Sequence, residues 1–295
     1  MRFTLRSFSF RCIALALMIV APAVRAENSP KTEAVAQYEL GEAYADGRGV
    51  ARDLKRAAAL FLAAAEAGHA PAQARLGYCY ISGQGVPRNT ALAVQWYRRA
   101  AEQGNALGQT YLGFSYALGQ GVHMDLAEAV AQFRKAAAQG YAPAQANLGI
   151  MLMLGRGAPK NLPTAIDWFN KAAAQQNTTA LYNLGMLYSE GNGVKQDYPR
   201  AAAYFRRAAQ LDHAEAQISL GALYANGKGV PRDFQQAYFW SHIPAEKGNQ
   251  QAANQRDLVA TYLKPEQIFE IRQRANAWKP ESPPAISATA APVVR

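Results

Sequence analysis

The apolar positions of the chain fall into two alternating helical patterns. The first is a Leu-Gly-x-x-Tyr face, and the Leu-Gly pair stands at Leu40-Gly41, Leu76-Gly77, Leu112-Gly113, Leu148-Gly149, Leu184-Gly185 and Leu220-Gly221. The aromatic position follows as Tyr44, Tyr80, Tyr116, Tyr188 and Tyr224, with Leu152 in the fourth unit. The second pattern is an alanine-aromatic face: Ala57/Phe61/Ala64/Ala65, Ala93/Tyr97/Ala100/Ala101, Ala129/Phe133/Ala136/Ala137, Ala165/Phe169/Ala172/Ala173 and Ala201/Phe205/Ala208/Ala209. Spacings of four, seven and eight residues put such side chains on one side of an α-helix. Each unit therefore predicts two helices, called A and B here. Between them lies a Gly-x-Gly turn, as at Gly47/Gly49, whose glycines can take the left-handed backbone that ends a helix. Asp53, Asn89, Asp125, Asn161, Asp197 and Asp233 follow the turns and read as N-caps of the B helices.

The step between units is 36 residues throughout, without insertion or deletion. One helix pair buries too little apolar surface to fold alone, so successive pairs must stack. The expected fold is all-α, a right-handed superhelical solenoid of helix-turn-helix repeats with a concave and a convex face. Its segments read as a signal peptide at 1–26, a linker at 27–35 and six repeats at 36–251. A helical cap at 252–279 and a disordered tail at 280–295 complete the chain. Departures are local. Gln176 and Asp212 replace the glycine that closes the B helix, and Ser241 and Pro244 replace an aromatic and an alanine in the sixth unit. Proline inside a helix removes a hydrogen bond, so the last B helix is expected to bend or stop near His242.

The combination Leu-Gly-x-x-Tyr-x-x-Gly-x-Gly-Val, followed by a capped aromatic-x-x-Ala-Ala helix, resembles the Sel-one-like repeat family, relatives of the tetratricopeptide repeats. The resemblance implies a solenoid that binds other proteins. Its known roles imply complex assembly, regulation of envelope signalling or contact with a host. Some disulfide-rich relatives have been linked to penicillin binding; this chain lacks their paired cysteines, so that activity is not carried over.

The ends change the picture of where the protein works. Arg2, Arg6 and Arg11 precede an apolar run from Cys12 to Val20, and Val24-Arg25-Ala26 has the small residues of a cleavage site. This is the pattern of a secretory signal peptide, and the run is about half the length of a membrane span. A periplasmic or secreted bacterial protein is expected, with no transmembrane segment after cleavage. Losing Arg2, Arg6, Arg11 and Arg25 takes the net charge from +10 to +6, and losing Cys12 leaves Cys79 as the one thiol. A lone exported cysteine is either a buried small hydrophobe or a site of pairing with another chain.

Candidate chemistry is sparse. The chain has no His-Glu-x-x-His, no cysteine pair to hold a metal and no Ser-x-x-Lys. Gly113-Phe-Ser115-Tyr-Ala117 falls short of a nucleophile elbow and lies within a predicted helix. The reading is not an enzyme, with no cofactor and no metal; a cell-wall-directed hydrolase is the weakest alternative.

The remaining signal is a stripe on the A helices. Taking 100° per residue, the position two after the signature leucine points away from the core, and the position six after it lies nearby. Through the middle repeats these positions, with neighbours, read Tyr78, Tyr111, Phe114, Leu118, Ile150, Leu154, Tyr182 and Met186. Exposed contiguous apolar surface marks interaction sites, so these eight residues are the expected groove for a protein or peptide partner. The competing expectation is burial against adjacent A helices. On the groove reading, Phe114→Ala with Met186→Ala weakens capture and spares stability. Basic residues such as Arg52, Lys55, Arg56, Lys195 and Arg200 cluster at the turns and B helices. They suggest a solvated convex face or, alternatively, attraction to an anionic cell-envelope polysaccharide. No nucleic acid partner is expected, and the protein is expected to be a monomer.

Overall fold

The computed structural model describes residues 29–281. The segment expected as a signal peptide, 1–26, and the tail beyond Glu281 lie outside the described residues. Fourteen α-helices and no strand occur among them: α1 (Pro30–Asp46), α2 (Leu54–Glu66), α3 (Ala70–Ser82), α4 (Thr90–Glu102), α5 (Ala106–Leu118), α6 (Leu126–Ala138), α7 (Ala142–Leu154), α8 (Leu162–Ala174), α9 (Thr178–Glu190), α10 (Tyr198–Gln210), α11 (Ala214–Asn226), α12 (Phe234–Glu246), α13 (Gln250–Ala260) and α14 (Pro265–Ala277). The odd-numbered helices up to α11 are the A helices and the even-numbered ones up to α12 the B helices. The chain divides into two compact units, one ending at Gly108 and one starting at Gln109.

Local chemistry sets the helix ends. All six predicted caps accept a hydrogen bond from the first turn of their B helix, from Asp53 Oδ1 with Arg56 N at 3.0 Å to Asp233 Oδ1 with Gln236 N at 3.0 Å. Each such cap stabilises its helix by about 1 kcal/mol. Where the closing glycine is missing, Gln176 and Asp212 hold the same left-handed backbone, at φ 61° and 66°. Their side chains are engaged as well: Gln176 accepts from Arg207 and Asp212 from Lys247.

Within a repeat the signature glycine receives the B-helix aromatic. A Cβ on Gly149 would stand 2.6 Å from the Phe169 ring, and one on Gly77 2.5 Å from Tyr97. The sixth repeat lacks that ring. There Ser241 donates to Ala237 O, and Gln255 of α13 reaches in beside Gly221 and donates to Ile218 O at 3.1 Å. The cap thus fills the space an aromatic leaves. Between repeats the second turn glycine rests on the start of the preceding B helix. A Cβ on Gly85 would lie 2.0 Å from Leu54 O, and one on Gly157 2.0 Å from Leu126 O.

Three expectations are corrected. The segment expected as a linker is helical from Pro30, because Ser29 accepts from Thr32 N and Pro30 suits a first helical position. The last B helix neither stops near His242 nor shortens; α12 runs on to Glu246. Pro244 lies in its last turn, where only one main-chain bond is forfeited, and buried Trp240, His242 and Ile243 hold that turn. The start of the expected disordered tail is anchored: Glu281 N donates to Gln210 O at 2.9 Å, the Glu281 carboxylate pairs with Arg207, and Trp278 packs edge-on against Trp240.

A glutamine ladder, unread in the sequence, ties the repeats together. Buried Gln73 donates to Ala65 O at the end of α2 and accepts from Gln103 at the end of α4. Gln145 does the same with Ala137 O (3.2 Å) and Gln175 (3.0 Å). Each link satisfies an orphan carbonyl of a helix end. In repeat five both members are apolar, Leu181 and Leu211. Gln145→Leu alone is expected to cost about 1–3 kcal/mol, the range for stranding buried polar partners. The double variant with Gln175→Leu should recover roughly 1 kcal/mol of that, the range for coupled neighbours. Denaturant unfolding of the four-member cycle measures the coupling; additive losses would remove the link.

Candidate functional site

The eight stripe residues do not share one environment. In the first unit, Tyr78 is half-buried. Beside it Arg75 forms an ion pair with Glu42 at 2.5 Å, with its guanidinium 5.5 Å from the Phe61 ring centre and 5.9 Å from that of Tyr78. This pair was not foreseen. Its signal was a charged residue before the signature leucine of repeat two, at a position that reads Tyr111, Asn147, Asn183 and Ser219 later.

In the second unit the stripe splits. Tyr111, Phe114 and Ile150 are buried and cannot line an open groove as expected. Phe114 lies edge-on to Phe133 at 5.1 Å and 6.4 Å from the Tyr111 ring. Tyr182 and Met186 are half-buried. Tyr182 stacks on His213 at 4.9 Å, and burial, with Glu215 and Glu190 adding, pushes its phenol pKa up. Leu118 and Leu154 are 45% and 51% exposed, at the same repeat position at the ends of α5 and α7. Met124, in the turn of repeat three, is also exposed. The accessible apolar surface is therefore the C-terminal part of these A helices.

The signature leucines are covered except in the first repeat, where Leu40 is exposed. Leu76, Leu148, Leu184 and Leu220 are fully covered, and Leu112 nearly so. Tyr188 is buried; Tyr44, Tyr80, Tyr116 and Tyr224 are partly covered. Tyr44 carries Arg56 over its face at 4.7 Å, and Tyr188 carries Arg200 at 4.3 Å. These equivalent ring–guanidinium pairs border open depressions at the turns, of about 790 Å³ in repeats one and two and about 620 Å³ in repeat five. Lys55 and Arg52 line the first and Lys195 the second.

Cys79 is buried, and burial pushes its thiol pKa up to about 11, which keeps it protonated at neutral pH. No cluster of three His, Cys, Asp or Glu side chains that could hold a metal occurs among the described residues, and no helix there is long and apolar enough to cross a membrane. What the surface offers is apolar contact on the A helices and ring-backed positive charge at the turns.

Thirteen-residue helices, paired and stacked through one glycine-punctuated turn, define an α-helical repeat protein of solenoid type. The chain belongs to the Sel1 repeat family, whose pattern matches it at 34–69, 70–105, 106–141, 142–177, 178–213 and 214–249. The matched frame starts two residues before the one read from the sequence. Proteins of this family are generally protein–protein interaction scaffolds and typically not enzymes.

Among solved structures, the chain is similar to a protective antigen present in uropathogenic Escherichia coli strains, which displays an SLR fold. The identity is 33% and the TM-score 0.73, covering 87% of this chain and 58% of that one. It is also similar to a Sel1 repeat protein from Oxalobacter formigenes, at 36% identity and TM-score 0.67, covering 75% of this chain and 64% of that one. The chain thus spans less than two thirds of the length of either. A comparison with curated proteins finds no match.

Proposed function

We propose that the protein is an exported interaction scaffold, and that the A-helix face of repeats three to five takes an apolar segment of a protein or peptide partner. The observation that carries this reading is the exposure of Leu118 and Leu154 at one repeat position, with Met124 also exposed and Met186 half-buried. Apolar side chains exposed at a recurring repeat position favour a partner that brings its own apolar side chains. Export rests on the basic-then-apolar leader ending at Ala26. Work in envelope assembly, signalling or host contact follows from family roles; the similarity to a protective antigen supports it.

Crosslinking in intact cells, with the wild type and the Leu118→Arg/Leu154→Arg variant, tests the surface. Both side chains are exposed, so helix content should be unchanged. Capture of the partner should fall about tenfold or more, equivalent to about 1.4 kcal/mol. Undiminished capture by a folded variant would take this face out of consideration.

The ring-backed basic depressions favour a second reading, binding of an anionic envelope polysaccharide through Tyr44, Arg56, Tyr188 and Arg200. Salt separates the two: ionic contacts weaken as ionic strength rises, while apolar contacts do not.

A further inference from the structure

The first repeat keeps an interface that nothing in the described chain covers. Its signature Leu40 is 43% exposed, whereas Leu76, Leu148, Leu184 and Leu220 are at 0%. Ala36 is exposed, whereas its equivalents Ala72, Ala144, Ala180 and Ala216 are fully buried. Gly49 holds the same left-handed backbone as Gly85, Gly157 and Gly229. Those three rest on the starts of α2, α6 and α10; around Gly49 nothing lies within 4 Å. Val35 adds a further exposed side chain to this edge.

The C-terminal helix pair exposes large apolar side chains as well. Leu258 on α13, Phe269 on α14 and Tyr262 between them are each more than 60% exposed. Terminal repeats normally turn a polar face outward, because an apolar one invites association. Here both terminal helix pairs keep large apolar side chains exposed among charged ones such as Glu39 and Glu270. The first repeat retains the contact residues of a repeat that follows another, and among the described residues no further helix stacks on α13 and α14.

We infer that the N-terminal edge of one molecule stacks on the C-terminal helix pair of a second copy, so that the interface between repeats continues from chain to chain. This contact joins two different surfaces and leaves one of each free on a pair of molecules, so further copies can add. It is independent of the A-helix face assigned to a partner above.

Sedimentation velocity of the full chain across a concentration series tests it. The average mass of the wild type should rise past that of two copies. Leu40→Glu blocks one edge and Leu258→Glu the other, so each variant alone should stay monomeric. Mixed in equal amounts, they retain one complementary pair of edges and should form dimers and nothing larger. Both positions are exposed, and circular dichroism checks that the variants are folded; should either fail, Val35→Glu or Phe269→Glu takes its place. A wild type that stays monomeric at every concentration overturns the inference, as do variants that associate like the wild type or a mixture that stays monomeric.

Discussion

Gly157→Ala is expected to destabilise the protein by about 2–5 kcal/mol, while the same change at Gly49 should cost about 1–2 kcal/mol. The two glycines hold nearly the same backbone, at φ +72° and +73°. Forcing an L-residue into that left-handed region accounts for the shared loss. The surroundings account for the rest. A Cβ on Gly157 would stand 2.0 Å from the carbonyl oxygen of Leu126 and 2.4 Å from its carbonyl carbon. These are main-chain atoms at the start of α6 and cannot rotate aside, so the turn after α7 must move off the preceding repeat. Overpacking of this kind costs about 1–3 kcal/mol beyond the backbone term. Because repeats are held by nearest-neighbour interfaces, the loss should also show as a broader unfolding transition, with parts of the second unit separating in stability. Chemical denaturation followed by circular dichroism, under dilute conditions, measures both variants. Equal losses at the two sites would mean that the turn glycines serve backbone conformation alone and take no part in stacking.

What the sequence revealed and what it concealed divide along a physical line. The Leu-Gly-x-x-Tyr period, the turn glycines and the N-caps are local: each needs only its own helix or turn, and all appear as read. The partners of a buried polar group are not local. Gln73, Gln109, Gln145 and Gln217 recur at 36-residue steps, and that recurrence was the signal for the ladder. Only the fold shows that Gln103, Gln139 and Gln175 lie against the first three. Compensation is equally hidden. Ser241 in place of an aromatic looks like a defect until Gln255 is seen beside Gly221. Pro244 looks like a helix end until its place in the last turn of α12 shows how little it removes. The stripe failed for a related reason. A helical wheel gives directions around one axis and ranks residues by angle from one core. An A helix in a stack has neighbours on its flanks as well, and Phe114 also meets Phe133 of its own B helix, so Tyr111, Phe114 and Ile150 are covered at angles the wheel assigned to water. Leu118 and Leu154 escape because they stand at the last residue of their helices, next to the turn.

Phe114→Ala should therefore cost about 3–5 kcal/mol, the range for removing a buried aromatic side chain, and not the small loss expected of a groove residue. Phe114 is 4% exposed, and its ring meets the edge of Phe133, the same ring that closes over Gly113. Removing it opens a cavity beside the helix A–helix B contact of repeat three, where the surrounding rings cannot all collapse inward. Met186→Ala offers the comparison: its side chain is half-buried and flexible, so the loss should be about 1 kcal/mol, typical of a single substitution. Thermal and denaturant unfolding of the two variants measure the difference. A Phe114→Ala protein as stable as the wild type would place the ring outside the core and return it to the binding face. With the expected loss, weaker partner capture by that variant reports a disrupted repeat rather than a missing contact. Among the stripe residues, it is Leu118 and Leu154 whose replacement separates the two, because arginine at an exposed helix end changes what a partner meets while leaving the Phe114–Phe133 packing in place.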